Sequence, residues 1–392
     1  MTDDTDNAWS TCRLDEIIDF NPKETLPKGT DAPYVEMAAL PQNGRWHDEP
    51  VLRAANSGSR FRDGDTLLAR ITPCLENGKT AQVRGLGTGV VGWGSTEFIV
   101  MRAKHGVADP SFVYLLARDP GFRDYAIQQM TGTSGRQRVP TESIASFELS
   151  LPTLTEQRRI ATVIEVIDDR IESAARLEKV LGEVVLAEYG LALLDRAKEA
   201  VVPLVDAVSL INGGAYTNGA DGTGRMVIRI KELNSGPSES TVYSSITVPG
   251  NKTAYPGDVL FAWSGSLGVW RWYRDEAIVN QHIFKVLPKK HPVWLGWIHI
   301  LDELERFQDI AAGKATTMGH ITKDHLERTM VPTFSAEELE VLSARVEPLW
   351  DAQLQAGREL HTLQAVRAQL LPALVSGEMR VAVAEELVEV AG

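Results

Sequence analysis

The feature that most constrains this chain is that it is written twice. Internal repetition at a fixed offset means that one structural solution has to be used more than once. Tyr34-Val-Glu-Met and Val227-Ile-Arg-Ile each precede a turn. Asp63-Gly-Asp-Thr-Leu-Leu-Ala-Arg parallels Pro256-Gly-Asp-Val-Leu-Phe-Ala-Trp, and Thr96-Glu-Phe-Ile-Val loosely parallels Gln281-His-Ile-Phe-Lys-Val. A Gly-rich polar loop follows in each copy, Gly132-Thr-Ser-Gly-Arg-Gln-Arg and Gly313-Lys-Ala-Thr-Thr-Met-Gly-His. Each copy then closes on a short apolar run ending in proline, Leu149-Ser-Leu-Pro152 and Thr329-Met-Val-Pro332. Short β-type runs punctuated by turn signals predict a mixed α/β domain at the head of each copy.

A long helix is predicted after each domain. Ile164, Ile167, Ile171, Ala174, Glu178, Leu181 and Val185 alternate by three and four residues, and Thr155 is the expected N-cap. Leu339, Leu342, Val346, Leu349, Gln353, Ala356, Leu360, Leu363, Arg367, Leu370 and Leu374 keep the same rhythm behind a Ser335-Ala-Glu-Glu338 capping box. This is a coiled-coil seam. Two such helices in one chain predict an antiparallel pair that holds the two domains apart. Pro348 is expected to kink the second helix and Gly377 to stop it. The expected class is α+β, with an internal pseudo-twofold repeat. Its parts are a first mixed α/β domain over 1–153, a central long helix over 154–199, a second such domain over 200–333, a C-terminal long helix over 334–379 and a tail over 380–392.

Composition narrows the function. The net charge is −13 across 392 residues, yet the sign is unevenly spread. Residues 53–138 hold 12 Lys/Arg against 7 Asp/Glu, and residues 225–328 hold 13 against 11. Phosphate binding needs local positive potential rather than a positive total. Two distant cysteines, Cys12 and Cys74, cannot form a disulfide framework or a zinc site alone, which favours a reducing, cytoplasmic setting. Neither a signal peptide nor a membrane-length apolar run is visible.

Catalytic motifs are missing. Gly78-Lys79-Thr80 resembles the end of a phosphate-binding loop, but Pro73 stands where glycine is required. There is no Asp/Asn/Ser-Pro-Pro-aromatic tetrapeptide of amino-methyltransferases; Asn21-Pro22 is followed by Lys23. No His-Glu-x-x-His spacing occurs, and His282, His320 and His325 read more simply as surface or capping residues. Asp168 and Asp169 read as a solvated helix face. What remains are loops suited to DNA: Arg70, Thr72, Asn77 and Lys79 after an apolar strand, and Arg136, Gln137 and Arg138 in the Gly-rich loop. Trp263, Ser264 and Ser266, then Lys314, Thr316, Thr317 and His320, hold matching places in the second copy. These are residue types that pair with base edges or phosphates, although polar loops also serve turn geometry.

The stretches Arg70-Ile-Thr-Pro-Cys-Leu-Glu-Asn-Gly-Lys79, Thr96-Glu-Phe98, Leu151-Pro-Thr-Leu-Thr-Glu-Gln-Arg-Arg-Ile160, Asp168-Asp-Arg-Ile171 and Gln369-Leu-Leu-Pro-Ala-Leu-Val-Ser-Gly-Glu378 resemble the specificity subunits of type I restriction–modification enzymes. The second helix entry departs from the Glu-Gln form, and the second loop lacks the Thr-Pro-Cys run. The resemblance implies a non-catalytic subunit with two target-recognition domains, each reading half of a bipartite double-stranded DNA site. Paired helices would set the spacer and dock two modification subunits, with Glu156, Gln157, Arg158 and Arg159 as candidate contacts. S-adenosylmethionine and ATP would belong to the partners, the methyltransferase and the restriction/motor subunits, leaving this chain without a cofactor, metal or membrane association. The alternatives are a specificity subunit of a related phage-defence or single-complex restriction system, a coiled-coil scaffold with two protein-binding domains, and a lone methyltransferase, which the missing tetrapeptide opposes.

Overall fold

The structure, a computed structural model, describes residues 9–195, 200–313 and 319–390. It divides into two compact units, residues 1–171 with 363–392, and residues 172–362. The first unit is therefore built from two separate stretches of the chain, and each long helix contributes to both units.

The two units repeat one topology. In the first, an antiparallel sheet has the order Ile18–Phe20, Phe98–Ala103, Thr66–Ala69, Thr80–Gln82. In the second, the order is Val208–Asn212, Ile283–Pro288, Val259–Ala262, Gly268–Arg271. Each unit adds another four-stranded sheet with one parallel pair, Tyr34–Val35 beside Trp93–Gly94 and Val227–Ile228 beside Ile278–Val279. Each is closed by a two-stranded ribbon, Ser10–Arg13 with Glu148–Leu151 and Val201–Pro203 with Met330–Pro332.

The Gly-Asp motifs explain how the central strands begin. Gly64 and Gly257 have φ of +89° and +97°, a turn conformation that costs glycine little. The following carboxylate closes the turn, Asp65 accepting from the Arg62 N–H at 2.8 Å and Asp258 from the Tyr255 N–H at 2.6 Å. Each then pairs with a cation: Asp65 takes both Nε and Nη2 of Arg102 at 2.7 Å, and Asp258 lies 2.7 Å from Lys285. The strands that follow are buried throughout, and apolar but for Thr66, because both faces are covered. Leu67 and Val100 join Phe61 and Phe98 on one side, while Leu68, Ile99 and Met101 join Phe112 and Phe122 on the other. Val259 and Phe261 divide in the same way from Leu260 and Ala262.

The long helices run Leu154–Asp195 and Ala336–Ser376. In the first unit Ile160, Ile164 and Ile167 pack with Leu370, Leu371 and Leu374, and Arg367 pairs with Asp168. In the second, Val185 and Tyr189 pack with Leu342, Val346 and Trp350, Glu178 accepts from Gln353 at 3.1 Å, and Glu188 lies 3.1 Å from Arg345. Rising numbers on one helix meet falling numbers on the other, so the pairing within each unit is antiparallel.

Four expectations at the helices change. The first helix starts two residues earlier, with Thr153 rather than Thr155 accepting from the Glu156 N–H at 3.3 Å. Pro348, expected to kink or interrupt the second helix, does not interrupt it: the helix runs on from Ala336 to Ser376 with the proline ring on its exposed side. Asp168 is not solvated but shares a largely covered ion pair with Arg367. Finally, the tail is a helix, Val381–Val390, whose Val381 and Ala384 enter the first unit's core. Gly377 ends the preceding helix as expected, at φ +80° with a Cβ position blocked by the Trp9 ring at 2.9 Å. The Ser335 capping box also forms, with reciprocal bonds of 2.7 and 3.2 Å to Glu338.

Candidate nucleic-acid interface

Two loops whose paired residues lie 65 to 69 positions apart in the sequence meet at the end of the Thr66–Ala69 strand. The Thr72 N–H donates to the Gln137 carbonyl at 3.0 Å, the Val139 N–H donates to the Arg70 carbonyl at 2.9 Å, and Ile71 faces Arg138 across a backbone bridge. A third segment joins them, since the Arg70 N–H donates to the Glu97 carbonyl at 3.0 Å. The second unit repeats this junction. The Gly265 N–H donates to the Gly319 carbonyl at 3.0 Å, the Ile321 N–H donates to the Trp263 carbonyl at 3.1 Å, and Ser264 faces His320. The third segment is again present, with the Trp263 N–H donating to the His282 carbonyl at 3.1 Å. Three positions are thereby equivalent: Arg70 and Trp263, Glu97 and His282, Arg138 and His320.

The chemistry at these positions differs between the units. In the first, Arg138 lies side-on to Glu97, with Nε at 2.9 and 3.0 Å from the two carboxylate oxygens and Nη2 at 2.7 Å. The hydrogen bonds to Glu97, and then its charge, raise the Arg138 pKa and keep the guanidinium charged. Arg136 is exposed and Gln137 half-buried. Arg70 is half-buried, and its Nε makes no hydrogen bond. Thr72 donates to Glu76 at 3.1 Å, and Asn77 is exposed. In the second unit, Trp263 donates to Asn212 at 3.0 Å and forms ring contacts with His282, Phe284 and His320 at 5.1, 5.9 and 6.5 Å. Ser264 is buried and Ser266 exposed. Lys314, Thr316 and Thr317 lie outside the described residues. His325 caps its own helix, its Nδ1 accepting from the Thr322 N–H at 3.1 Å.

Three of the sequence expectations turn inward. Lys79 donates to the carbonyls of Met37 and Ala38 at 2.9 and 3.3 Å, so its ammonium closes a turn instead of facing a phosphate. Gln157 is fully buried; it accepts from the Asp109 N–H at 2.9 Å and donates to Val107 and Pro152 carbonyls at 3.2 and 3.0 Å. Glu156 is also buried and accepts from the Trp9 indole at 2.9 Å. A buried polar group must find its partners inside the protein, which removes both from any docking surface. Arg158 stays exposed beside Asp109 at 3.5 Å, and Arg159 forks onto Glu385 at 2.9 and 2.5 Å. Glu97, which completes the first junction, is not a candidate in the sequence, and His282, which completes the second, is expected there as a surface or capping residue but is half-buried with a buried Nδ1. Their only signal was position, directly before the strand in the paired Thr96-Glu-Phe98 and Gln281-His-Ile283 runs.

Residues 7–182 match the family model Methylase_S, the type I restriction modification DNA specificity domain. The chain is 32% identical over 158 residues to the type I restriction enzyme EcoEI specificity subunit of Escherichia coli, a match covering 39% of this chain and 26% of that protein. It is 29% identical over 166 residues to the EcoAI specificity subunit of the same organism, covering 39% and 27%. The matched region thus spans about a quarter of these curated relatives. The fold is similar to that of the type I restriction–modification S subunit from M. genitalium, with a TM-score of 0.60 and 14% identity over 96% of this chain and 98% of that one. Among the described residues no group of His, Cys, Asp and Glu could hold a metal, and no helix is long and apolar enough to cross a membrane.

Proposed function

We propose that this chain is the specificity subunit of a type I restriction–modification complex and performs no bond chemistry itself. Each repeat reads one half of a bipartite double-stranded DNA site, and the helices set the spacer. Two modification subunits dock on the chain and bring S-adenosylmethionine, while restriction/motor subunits bring ATP. The observation that carries this reading is the repeated junction: the same three backbone segments meet at the same strand end in both units, and each presents a different set of polar side chains. A duplicated frame with divergent side chains suits a target whose two halves differ in sequence. The outward-facing Arg158 and Arg159 remain available for partner contact, whereas Glu156 and Gln157 serve the fold.

The test is methylation mapping. Expressing the chain with the methyltransferase encoded beside it, in a host free of adenine methylation, is expected to modify one bipartite motif genome-wide. Expression of either protein alone is expected to modify none. Methylation by the chain alone, or a motif that does not change when the chain is replaced, would overturn the reading.

A further inference from the structure

The first junction holds an arginine in a geometry that its counterpart lacks. Arginine has five N–H donors in a planar fork. Arg138 turns Nε and one N–H of Nη2 toward Glu97, and Nη1 reaches the Arg136 carbonyl at 3.3 Å. Two donors are left, one on each terminal nitrogen. Two parallel donors on a guanidinium edge are what guanine's O6 and N7 accept in the major groove. The Arg138 side chain remains 43% exposed while Glu97 is 23% exposed, so the carboxylate sits behind the guanidinium. Glu97 itself is fixed through its own backbone, whose carbonyl accepts from Arg70.

In the second unit this arrangement is absent. His282 stands where Glu97 does, with a left-handed backbone of φ +73° and a buried Nδ1 that makes no hydrogen bond. His320 takes the place of Arg138, and both rings lie against Trp263. Imidazole and indole cannot supply a bidentate fork.

We infer that Arg138, held side-on by Glu97, reads a guanine in one half of the DNA target, and that the second repeat makes no such guanine contact at its equivalent position. Glu97 is a positioning residue here: it aligns the fork before DNA arrives, which lowers the ordering cost of binding. The inference rests on the DNA-specificity reading above.

The experiment selects from a randomised duplex DNA library with the full chain in complex with its modification subunits. The wild type is expected to enrich a bipartite site with an invariant guanine in one half. R138K keeps the charge but loses the fork, so preference for that guanine should fall roughly 5- to 150-fold, with the salt dependence of binding to random duplex unchanged. E97Q should weaken the same preference to a smaller extent, and H320A should alter only the other half. A wild-type complex that enriches no bipartite site would overturn the DNA-specificity reading and this inference together. A bipartite site whose bases are selected equally by wild type, R138K and E97Q would overturn the inference alone, as would a change in both halves.

Discussion

Replacing Gln157 by alanine tests whether the Glu-Gln-Arg-Arg run is an internal clamp or a docking surface. The amide is fully buried where the helix Leu154–Asp195 begins, and it spans two chain segments about fifty residues apart. It satisfies one N–H and two carbonyls, those of Asp109, Val107 and Pro152. Truncation strands these groups, and each buried polar group left without a partner costs about 1–3 kcal/mol. An under-satisfied carbonyl with two lone pairs is tolerated better than a stranded N–H, so the sum should fall near the lower end, about 3 kcal/mol. A unit of roughly 200 residues loses about 2–4 °C of Tm per kcal/mol, so the first unit's transition should drop by about 6–12 °C. Glutamate should be no better than alanine, because it can accept from Asp109 but cannot donate to two carbonyls. Arg158→Ala supplies the contrast: its side chain is 64% exposed, so the Tm should stay within about 2 °C while any partner contact is lost. Differential scanning calorimetry of the full chain reads both. A Gln157→Ala protein that melts with the wild type yet fails to bind a modification subunit would refute the clamp and restore the docking role.

Glu24 is buried between Arg62 and Arg102; burial opposes its charge, but the two guanidiniums prevail and hold its carboxyl below the usual range. A lowered folded pKa stabilises above the unfolded value of about 4.3 and loses that contribution as pH falls through the folded one, so Glu24→Gln should flatten the acid limb of urea-denaturation curves below about pH 4.3. His299 in the second unit is pushed down to about 3 by burial and then by neighbouring His291, whose Nδ1 lies 3.0 Å from its Nε2. That unit should lose stability as pH falls from about 6.5 toward 3, and His299→Leu should shrink the slope in that window; an unchanged slope would show that the ring does not titrate with unfolding. Arg136→Ala should reduce the salt slope of DNA binding by about one, whereas Lys79→Ala, which removes an internal turn closure, should leave the slope intact. Fluorescence anisotropy over a salt series separates the two, and equal slopes for both variants would mean that the DNA face is misplaced.

What could be read without coordinates was whatever recurs at short range. The Gly-Asp turns were legible because glycine at positive φ and a turn-closing carboxylate are local devices, and both copies use them. The seam from Ile164 to Val185 was legible because a three-four rhythm marks one face of a helix whatever it packs against. Side-chain direction in polar runs was not. Gln157 sits among Glu, Arg and Arg and reads as solvent-facing, since its partners at Val107 and Asp109 are fixed by tertiary approach. Lys79 was assigned to DNA for the same reason, its acceptors being carbonyls some forty residues earlier. The helix Val381–Val390 was missed because a short apolar-acidic stretch past Gly377 becomes a helix worth forming only when the core accepts Val381 and Ala384.

The two junctions also show why such a frame can be duplicated and then diverge. At each, the bonds that join the three segments are made by backbone groups: Thr72 to Gln137 and Arg70 to Glu97 in one unit, Gly265 to Gly319 and Trp263 to His282 in the other. Backbone bonds do not depend on which side chain occupies the position. Arginine can therefore be exchanged for tryptophan, glutamate for histidine and arginine for histidine without unmaking the junction. The cost is confined to local fit, as at His282, where a non-glycine residue occupies a left-handed conformation. Under the function proposed above, telling two DNA half-sites apart would use this separation, with stability assigned to main-chain pairing and the buried strands beneath it, and discrimination assigned to side chains that the pairing leaves unconstrained.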